Sequence, residues 1–142
     1  MDIDPLSPAV VLYTSGTTGK PKGSVITHRA IDNMCEWYVG YTGMAEDDVY
    51  ALYTSYSFDI HTMGLFSPLY RGASVEIVPE EVRLDMPALN DHLVDAGATH
   101  TFMTTQVGKL FASMDMPSRI KALMYGGEKL GEFRAPEHLG AI

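Results

Sequence analysis

The chain has 142 residues, 46% of them hydrophobic, a formal net charge of -8 and one cysteine, Cys35. That length suits one domain or part of one, and the acidity argues against nucleic acid or an anionic membrane surface as a partner. A single cysteine rules out an internal disulfide, no apolar run reaches membrane-spanning length, and the Met-Asp-Ile-Asp-Pro start lacks the features of a signal peptide, so a soluble cytoplasmic protein is expected.

In chain order, residues 1–8 are polar, carry Pro5 and Pro8, and read as a lead-in segment. Residues 9–14 are a short apolar run that predicts a buried strand, and residues 24–27 predict a second, with a Gly/Thr/Lys/Pro loop between them. Ile31, Met34, Cys35, Tyr38 and Val39 recur at helical spacing after a cap at Thr27 or His28. Residues 49–53 are strand-like, 60–70 predict a helix ending near Gly72, and 73–78 predict a strand stopped by Pro79. Met86, Leu89, Leu93 and Ala96 mark another helix, with Gly97 at its C′ position. A strand at 99–103, a helix at 105–114 and a strand at 122–125 running into Gly126-Gly127 complete the pattern.

Strands alternating with helices at this pitch predict an α/β fold with a mainly parallel sheet. Ligands of such sheets bind in loops at the carboxyl ends of strands. Here those loops are 15–23, 54–59 and 126–130. The predicted organisation is a lead-in at 1–8, a core at 9–131 and a tail at 132–142.

The first loop carries most of the chemistry. Thr14-Ser15-Gly16-Thr17-Thr18-Gly19-Lys20-Pro21-Lys22-Gly23 combines glycines, which let backbone N–H groups face an anion, with hydroxyl and ammonium donors. A phosphate-binding loop and a solvated hairpin loop both fit this composition. A Walker A loop does not: with Gly19-Lys20 as its Gly-Lys pair, Thr14 stands where glycine is needed and Pro21 where a Ser or Thr would ligate magnesium. The run from Tyr13 to Gly23, followed by Thr27-His28-Arg29, resembles the phosphate loop of the AMP-forming adenylating superfamily. That superfamily includes peptide-synthetase adenylation domains, acyl-CoA synthetases and luciferases. Ser24 departs from the small apolar residue usual there.

Three further segments resemble the same superfamily in the same order. Asp59 lies between Phe58 and Ile60 at the start of a helix. A carboxylate there is either a helix N-cap or a ligand contact, and the two roles are compatible. The segment resembles the Phe-Asp block of amino-acid adenylation domains, whose aspartate holds the substrate α-ammonium. Acyl-CoA synthetases generally lack it, so Asp59 favours amino-acid activation. Residues 99–106 resemble the strand and loop lining the substrate pocket, and Gly126-Gly127-Glu128 resembles the loop whose backbone lies against adenine. Taken alone, Gly126-Gly127 is equally an ordinary strand-to-helix turn. The five histidines show no metal-ligand spacing, and no metal ligand is assigned.

The resemblance thus implies part of an ATP- and magnesium-dependent adenylation domain of a nonribosomal peptide synthetase. It would join an amino acid to AMP and pass it to a carrier-protein phosphopantetheine thiol. Carried over residue by residue, it implies phosphate contacts at Thr14, Ser15, Gly16, Thr17, Thr18, Gly19, Lys20 and Lys22, and an adenine edge at Gly126, Gly127 and Glu128. It implies a substrate pocket at Asp59, Ile60, Met63, Thr101, Met124 and Gly126, suited to a neutral side chain. The magnesium-associated glutamate, the ribose-binding aspartate, the hinge and the catalytic lysine have no counterparts, so the chain alone is expected to be inactive. An acyl-CoA synthetase fragment and a non-catalytic fragment that binds nucleotide weakly are the alternatives.

Overall fold

The computed structural model describes residues 2–14, 20–114 and 119–132. Strands β1 (Pro8–Thr14) and β2 (Lys22–Thr27) precede helix α1 (His28–Thr42); β3 (Val49–Leu52), α2 (Ile60–Arg71) and β4 (Ser74–Ile77) follow. A short 3-10 turn (Glu80–Val82) leads into α3 (Met86–Asp95), β5 (His100–Thr104), α4 (Thr105–Ser113) and β6 (Ala122–Gly126).

Strands β3 to β6 form a parallel sheet in the order β4-β3-β5-β6. β1 and β2 do not join it. They make a separate antiparallel hairpin, with Thr14 paired to Lys22 and Leu12 to Ser24. The short connection explains the antiparallel pairing: adjacent antiparallel strands close over a short loop, whereas a parallel pair needs a crossover of about a dozen residues or more. Lys22 and Gly23 of the predicted 15–23 loop are therefore the first residues of β2, and the strands on either side of that loop pair with each other rather than with the parallel sheet, as the alternating pattern had suggested. Within this loop, residues 15–19 lie outside the described residues, as do 133–142 of the expected tail.

Local chemistry explains where the helices start and stop. The Thr27 side chain accepts from Ala30 N–H at 3.3 Å and opens α1. Asp85 does the same for α3, accepting from Ala88 N–H at 3.2 Å. Gly43, Gly72 and Gly97 end α1, α2 and α3 with positive φ, a conformation that costs glycine little. The lead-in segment is tied to the start of α1 by Arg29 N–H donating to the Pro5 carbonyl at 2.8 Å and His28 N–H to that of Ser7 at 3.2 Å.

Alternation along the central strands sorts side chains onto two cores. Tyr50 and Leu52 of β3 join Tyr38, Met44 and Met63 beneath α1 and α2. Ala51 and Tyr53 join Leu89, Leu93, Met103 and Phe111 beneath α3 and α4. Each fully buried large side chain contributes roughly 1.5–3 kcal/mol. Two glycines let helices sit close to the sheet. A Cβ on Gly64 would lie 2.7 Å from atoms of Leu52 and Tyr50, and one on Gly108 would lie 2.6 Å from the Cβ of Tyr125.

Candidate functional site

The carboxyl ends of β3, β5 and β6 converge on a cavity of about 620 Å³. Its floor and one wall come from Thr54, Ser55, Phe58, Asp59 and Ile60 after β3, from Phe102 and Thr104 of β5, and from Gly126 and Gly127 at the end of β6. The opposite wall is the 3-10 turn region, through Glu80, Arg83 and Leu84. Two hydrogen-bonded contacts hold that wall: the Tyr53 hydroxyl donates to the Arg83 carbonyl at 3.0 Å, and the Arg83 guanidinium donates to the Val78 carbonyl at 3.3 and 3.2 Å. Neither Glu80 nor Arg83 carried a sequence signal as a site residue.

Asp59 is exposed at the mouth of this cavity. Its Oδ1 accepts from Ile60 N–H at 2.8 Å, so it caps α2. Its second oxygen has no partner among the described residues and remains open to an incoming cation. Both readings of this residue in the sequence are thus geometrically available at once.

Asp59 and Ile60 also border a neighbouring, mostly apolar cavity of about 380 Å³ with Met34, Thr62 and Met63. Met63 is buried, and Phe102 and Met124 pack against its cluster from the sheet. Thr101 does not reach either cavity. It is fully buried, its hydroxyl donates to the Ala51 carbonyl at 2.8 Å, and it points to the opposite face of the sheet from Met124. The ladder pairs Phe102, not Thr101, with Met124. A one-residue slip along a strand reverses the face, and that slip separates the expected Thr101 from the observed Phe102.

At the far end of the cavity, Gly126 closes on Phe102: a Cβ there would meet the ring at 3.4 Å. Gly127 has φ +97, which favours glycine, and turns the chain outward. The next residue is held by α4. The Thr105 hydroxyl donates to the Glu128 carbonyl and accepts from the Glu128 N–H, both at 3.3 Å. Gln106 Nε2 donates to Glu128 Oε2 at 3.5 Å, and Lys109 Nζ donates to the Leu130 carbonyl. The backbone at Gly126–Glu128 is therefore held from the α4 side, with Gly126 half-buried and Gly127 and Glu128 exposed.

Of the phosphate-loop residues, Thr14 ends β1, Lys22 begins β2 and Lys20 is exposed between them. Ser15, Gly16, Thr17, Thr18 and Gly19 lie outside the described residues. Among the described residues no group of three or more His, Cys, Asp or Glu side chains is placed to hold a metal ion, and no helix is long and apolar enough to cross a membrane.

The parallel sheet thus places this cavity, with its carboxylate and its two glycines, at the carboxyl ends of the strands, where ligands of such sheets bind. Residues 1–135 match the family model described as AMP-binding enzyme, and the chain belongs to that family. It is 38% identical over 126 residues to bacitracin synthase 1 of Bacillus licheniformis, covering 89% of this chain and 2% of that protein. It is 33% identical over 129 residues to surfactin synthase subunit 3 of Bacillus subtilis (strain 168), covering 89% of this chain and 10% of that protein. The fold superposes on the N-terminal subdomain of Klebsiella oxytoca NpsA in complex with 3-hydroxyanthranilyl-AMSN with TM-score 0.76 and 27% identity, covering 91% of this chain and 33% of that one. It superposes on holo-AB3403, a four-domain nonribosomal peptide synthetase bound to AMP and glycine, with TM-score 0.74 and 30% identity, covering 87% of this chain and 9% of that one. The chain thus spans a small part of the relatives it matches.

Proposed function

We propose that this chain is a segment of an amino-acid-activating adenylation domain of a nonribosomal peptide synthetase. The observation that carries the proposal is the Asp59 carboxylate at the mouth of a cavity whose other end is the bare Gly126–Gly127 edge. In the whole enzyme, a carboxylate oxygen of the amino acid bonds to the α-phosphorus of ATP as the bond to the β-phosphate bridging oxygen breaks. The products are aminoacyl-AMP and pyrophosphate. The aminoacyl group then passes to a carrier-protein phosphopantetheine thiol in the cytoplasm: a C–S bond forms as the acyl C–O bond to AMP breaks, and AMP and the thiol proton are released.

This chain contributes binding and orientation. The free oxygen of Asp59 pairs with the substrate α-ammonium, a charge-assisted contact that fixes the amine end. Gly126 to Glu128 lie along adenine. The hairpin tip, from Thr14 to Lys22, steadies the β- and γ-phosphates through backbone N–H groups, hydroxyls and the two lysines. Magnesium would spread phosphate charge during the reaction; no described cluster fits it, and no step here is assigned to it. Ile60, Met63, Phe102 and Met124 supply an apolar environment for the substrate side chain, which supports a neutral one. A charged side chain would be desolvated there without a partner.

The test is amino-acid-dependent ATP–pyrophosphate exchange by the intact synthetase. Asp59→Ala is expected to lower kcat/KM for the amino acid by roughly 10- to 150-fold, the equivalent of losing a contact of about 1.5–3 kcal/mol, and to leave the KM for ATP unchanged. A deaminated substrate analogue should narrow the gap between the two proteins. A variant that is less stable yet treats amino acid and analogue as the wild type does would reduce Asp59 to a helix cap. The 142-residue chain alone is expected to show no exchange, because it lacks the groups that complete the transition-state contacts.

A further inference from the structure

Asp59 is exposed and bonds only to the backbone of its own neighbour, so its direction is set by the loop that carries it. That loop leaves the sheet at Thr54, which is buried just beyond β3, and returns at the first turn of α2. Within it, Phe58 N–H donates to the Ser55 carbonyl at 3.1 Å, His61 N–H to that of Phe58 at 3.1 Å, and Thr62 N–H to that of Asp59 at 3.0 Å. The Ser55 and Ser57 hydroxyls lie 3.1 Å apart. All of these are turns of two to three residues inside the loop, and none ties it back to the strand.

One side chain does. His61 Nδ1 is 3.2 Å from the Thr54 carbonyl oxygen, a bond that needs the proton on Nδ1. It joins the last buried residue of the strand exit to the second residue of α2. Residues 55–60 become a closed ring with His61 at its neck, and Asp59 sits beside that neck. His61 itself does not line the cavity.

We propose that His61 is a positioning residue that fixes the Asp59 carboxylate toward the substrate amine by clamping the loop at Thr54. The proposal rests on the amino-acid reading of the site. It assigns a role that neither the Phe-Asp block nor the glycine edge supplies. Geometry at a reacting centre is unforgiving: a displacement of about 1 Å can reduce rate by roughly 100-fold.

The experiment uses the intact synthetase with His61→Ala, His61→Asn, Asp59→Ala and the double variant H61A/D59A, assayed by pyrophosphate exchange at varied amino acid and varied ATP. His61→Ala is expected to lower the amino-acid kcat/KM about tenfold, short of the roughly 100-fold that a displacement of about 1 Å can cost, with the KM for ATP unchanged. His61→Asn, whose short amide can place an N–H where Nδ1 lies, is expected to restore most of the loss. In the Asp59→Ala background, His61→Ala should lower the amino-acid kcat/KM no further, because its action passes through Asp59. A general structural role would instead lower both substrates' kinetics, resist rescue by Asn and add to D59A; any of these overturns the clamp. If Asp59→Ala leaves the amino-acid kcat/KM at the wild-type value, the amino-acid reading itself is lost. If Asp59→Ala lowers it and the folded His61→Ala and His61→Asn variants both match wild type, only the clamp is lost.

Discussion

Gly108 and Gly40 allow the same substitution to be read with opposite signs. Both lie within helices, Gly108 in α4 and Gly40 in α1, and neither has a positive φ. Alanine is favoured over glycine in a helix interior by about 1 kcal/mol, and that gain is common to both sites. At Gly40 an added Cβ meets nothing within 4 Å, so Gly40→Ala should stabilise by about 0.5–1 kcal/mol. At Gly108 the new Cβ would stand 2.6 Å from Tyr125 Cβ and 3.0 Å from its Cγ. The nearest of these is bonded directly to the β6 backbone, so no rotamer change relieves it. Ordinary carbon contacts lie near 3.5–4.0 Å, so α4 must retreat from the sheet by roughly 1 Å. Overpacking of this kind costs about 1–3 kcal/mol. Net of the helix gain, Gly108→Ala should change stability by between about 0 and about 2 kcal/mol in the destabilising direction. The difference between the two variants, about 1–3 kcal/mol, is the packing strain itself. Urea unfolding followed by far-ultraviolet circular dichroism measures it, with a melting-point separation of roughly 3–12 °C as the thermal counterpart. Because α4 also holds Glu128, the Gly108 variant should bind an aminoacyl-adenylate analogue more weakly in the intact enzyme. A Gly108→Ala protein as stable as Gly40→Ala would refute the close packing of α4 on β6.

Thr105→Val keeps the shape of the side chain and removes both contacts to Glu128; it should cost about 1–2 kcal/mol of stability and weaken adenylate-analogue binding in calorimetric titration, with the amino-acid contact proposed at Asp59 untouched. Acid should destabilise the fold in two stages. Burial pushes the His100 imidazole below its ordinary value of 6.5, Asp48 partly opposes this, and Lys121 reinforces it. Below about pH 6.5 the unfolded chain therefore takes up a proton that the folded chain resists, and stability falls as pH drops through that range. Burial pushes Asp48 up, but Lys121 at 2.6 Å and the Ala45 N–H at 2.9 Å hold its carboxyl below 3.8 overall. Its contribution is present above that value and is lost as pH falls through the folded-state pKa. Urea midpoints measured across this pH range should decline in both stages; His100→Asn should flatten the first, and an unchanged decline in that variant would assign it elsewhere. Tyr38 is fully buried and its hydroxyl has no partner among the described residues, so Tyr38→Phe should leave stability unchanged or raise it by about 1 kcal/mol. A loss of more than that amount in the same unfolding assay would show a hydrogen bond at that hydroxyl.

Much of the fold is written locally. The helical spacing of Ile31, Met34, Cys35 and Tyr38, the cap at Thr27 and the glycines at 72 and 97 place α1, α2 and α3 without reference to the rest of the chain. Short-range forces determine such features: side-chain period, a hydroxyl three residues from a free N–H, and the left-handed backbone that glycine permits. Asp59 was legible for the same reason, since a carboxylate between two apolar residues at a helix start needs a partner, and its adjacent N–H is only half of one. Other features depend on groups far apart in sequence. His-Thr-Phe-Met-Thr in β5 has no polar and apolar alternation, so nothing local says which face Phe102 occupies; the ladder to Met124 decides it. A short loop accounts for the antiparallel pairing of β1 with β2, but the hairpin's separation from the parallel sheet shows only in the tertiary structure. Thr105 meets Glu128 only because α4 packs back on β6, and His61 meets Thr54 only because α2 folds back on the exit from β3. No propensity or period encodes these meetings. They arise when buried apolar faces fix the elements in place, and the hydrogen-bonding groups at their ends are then held at the one distance and angle the packing leaves.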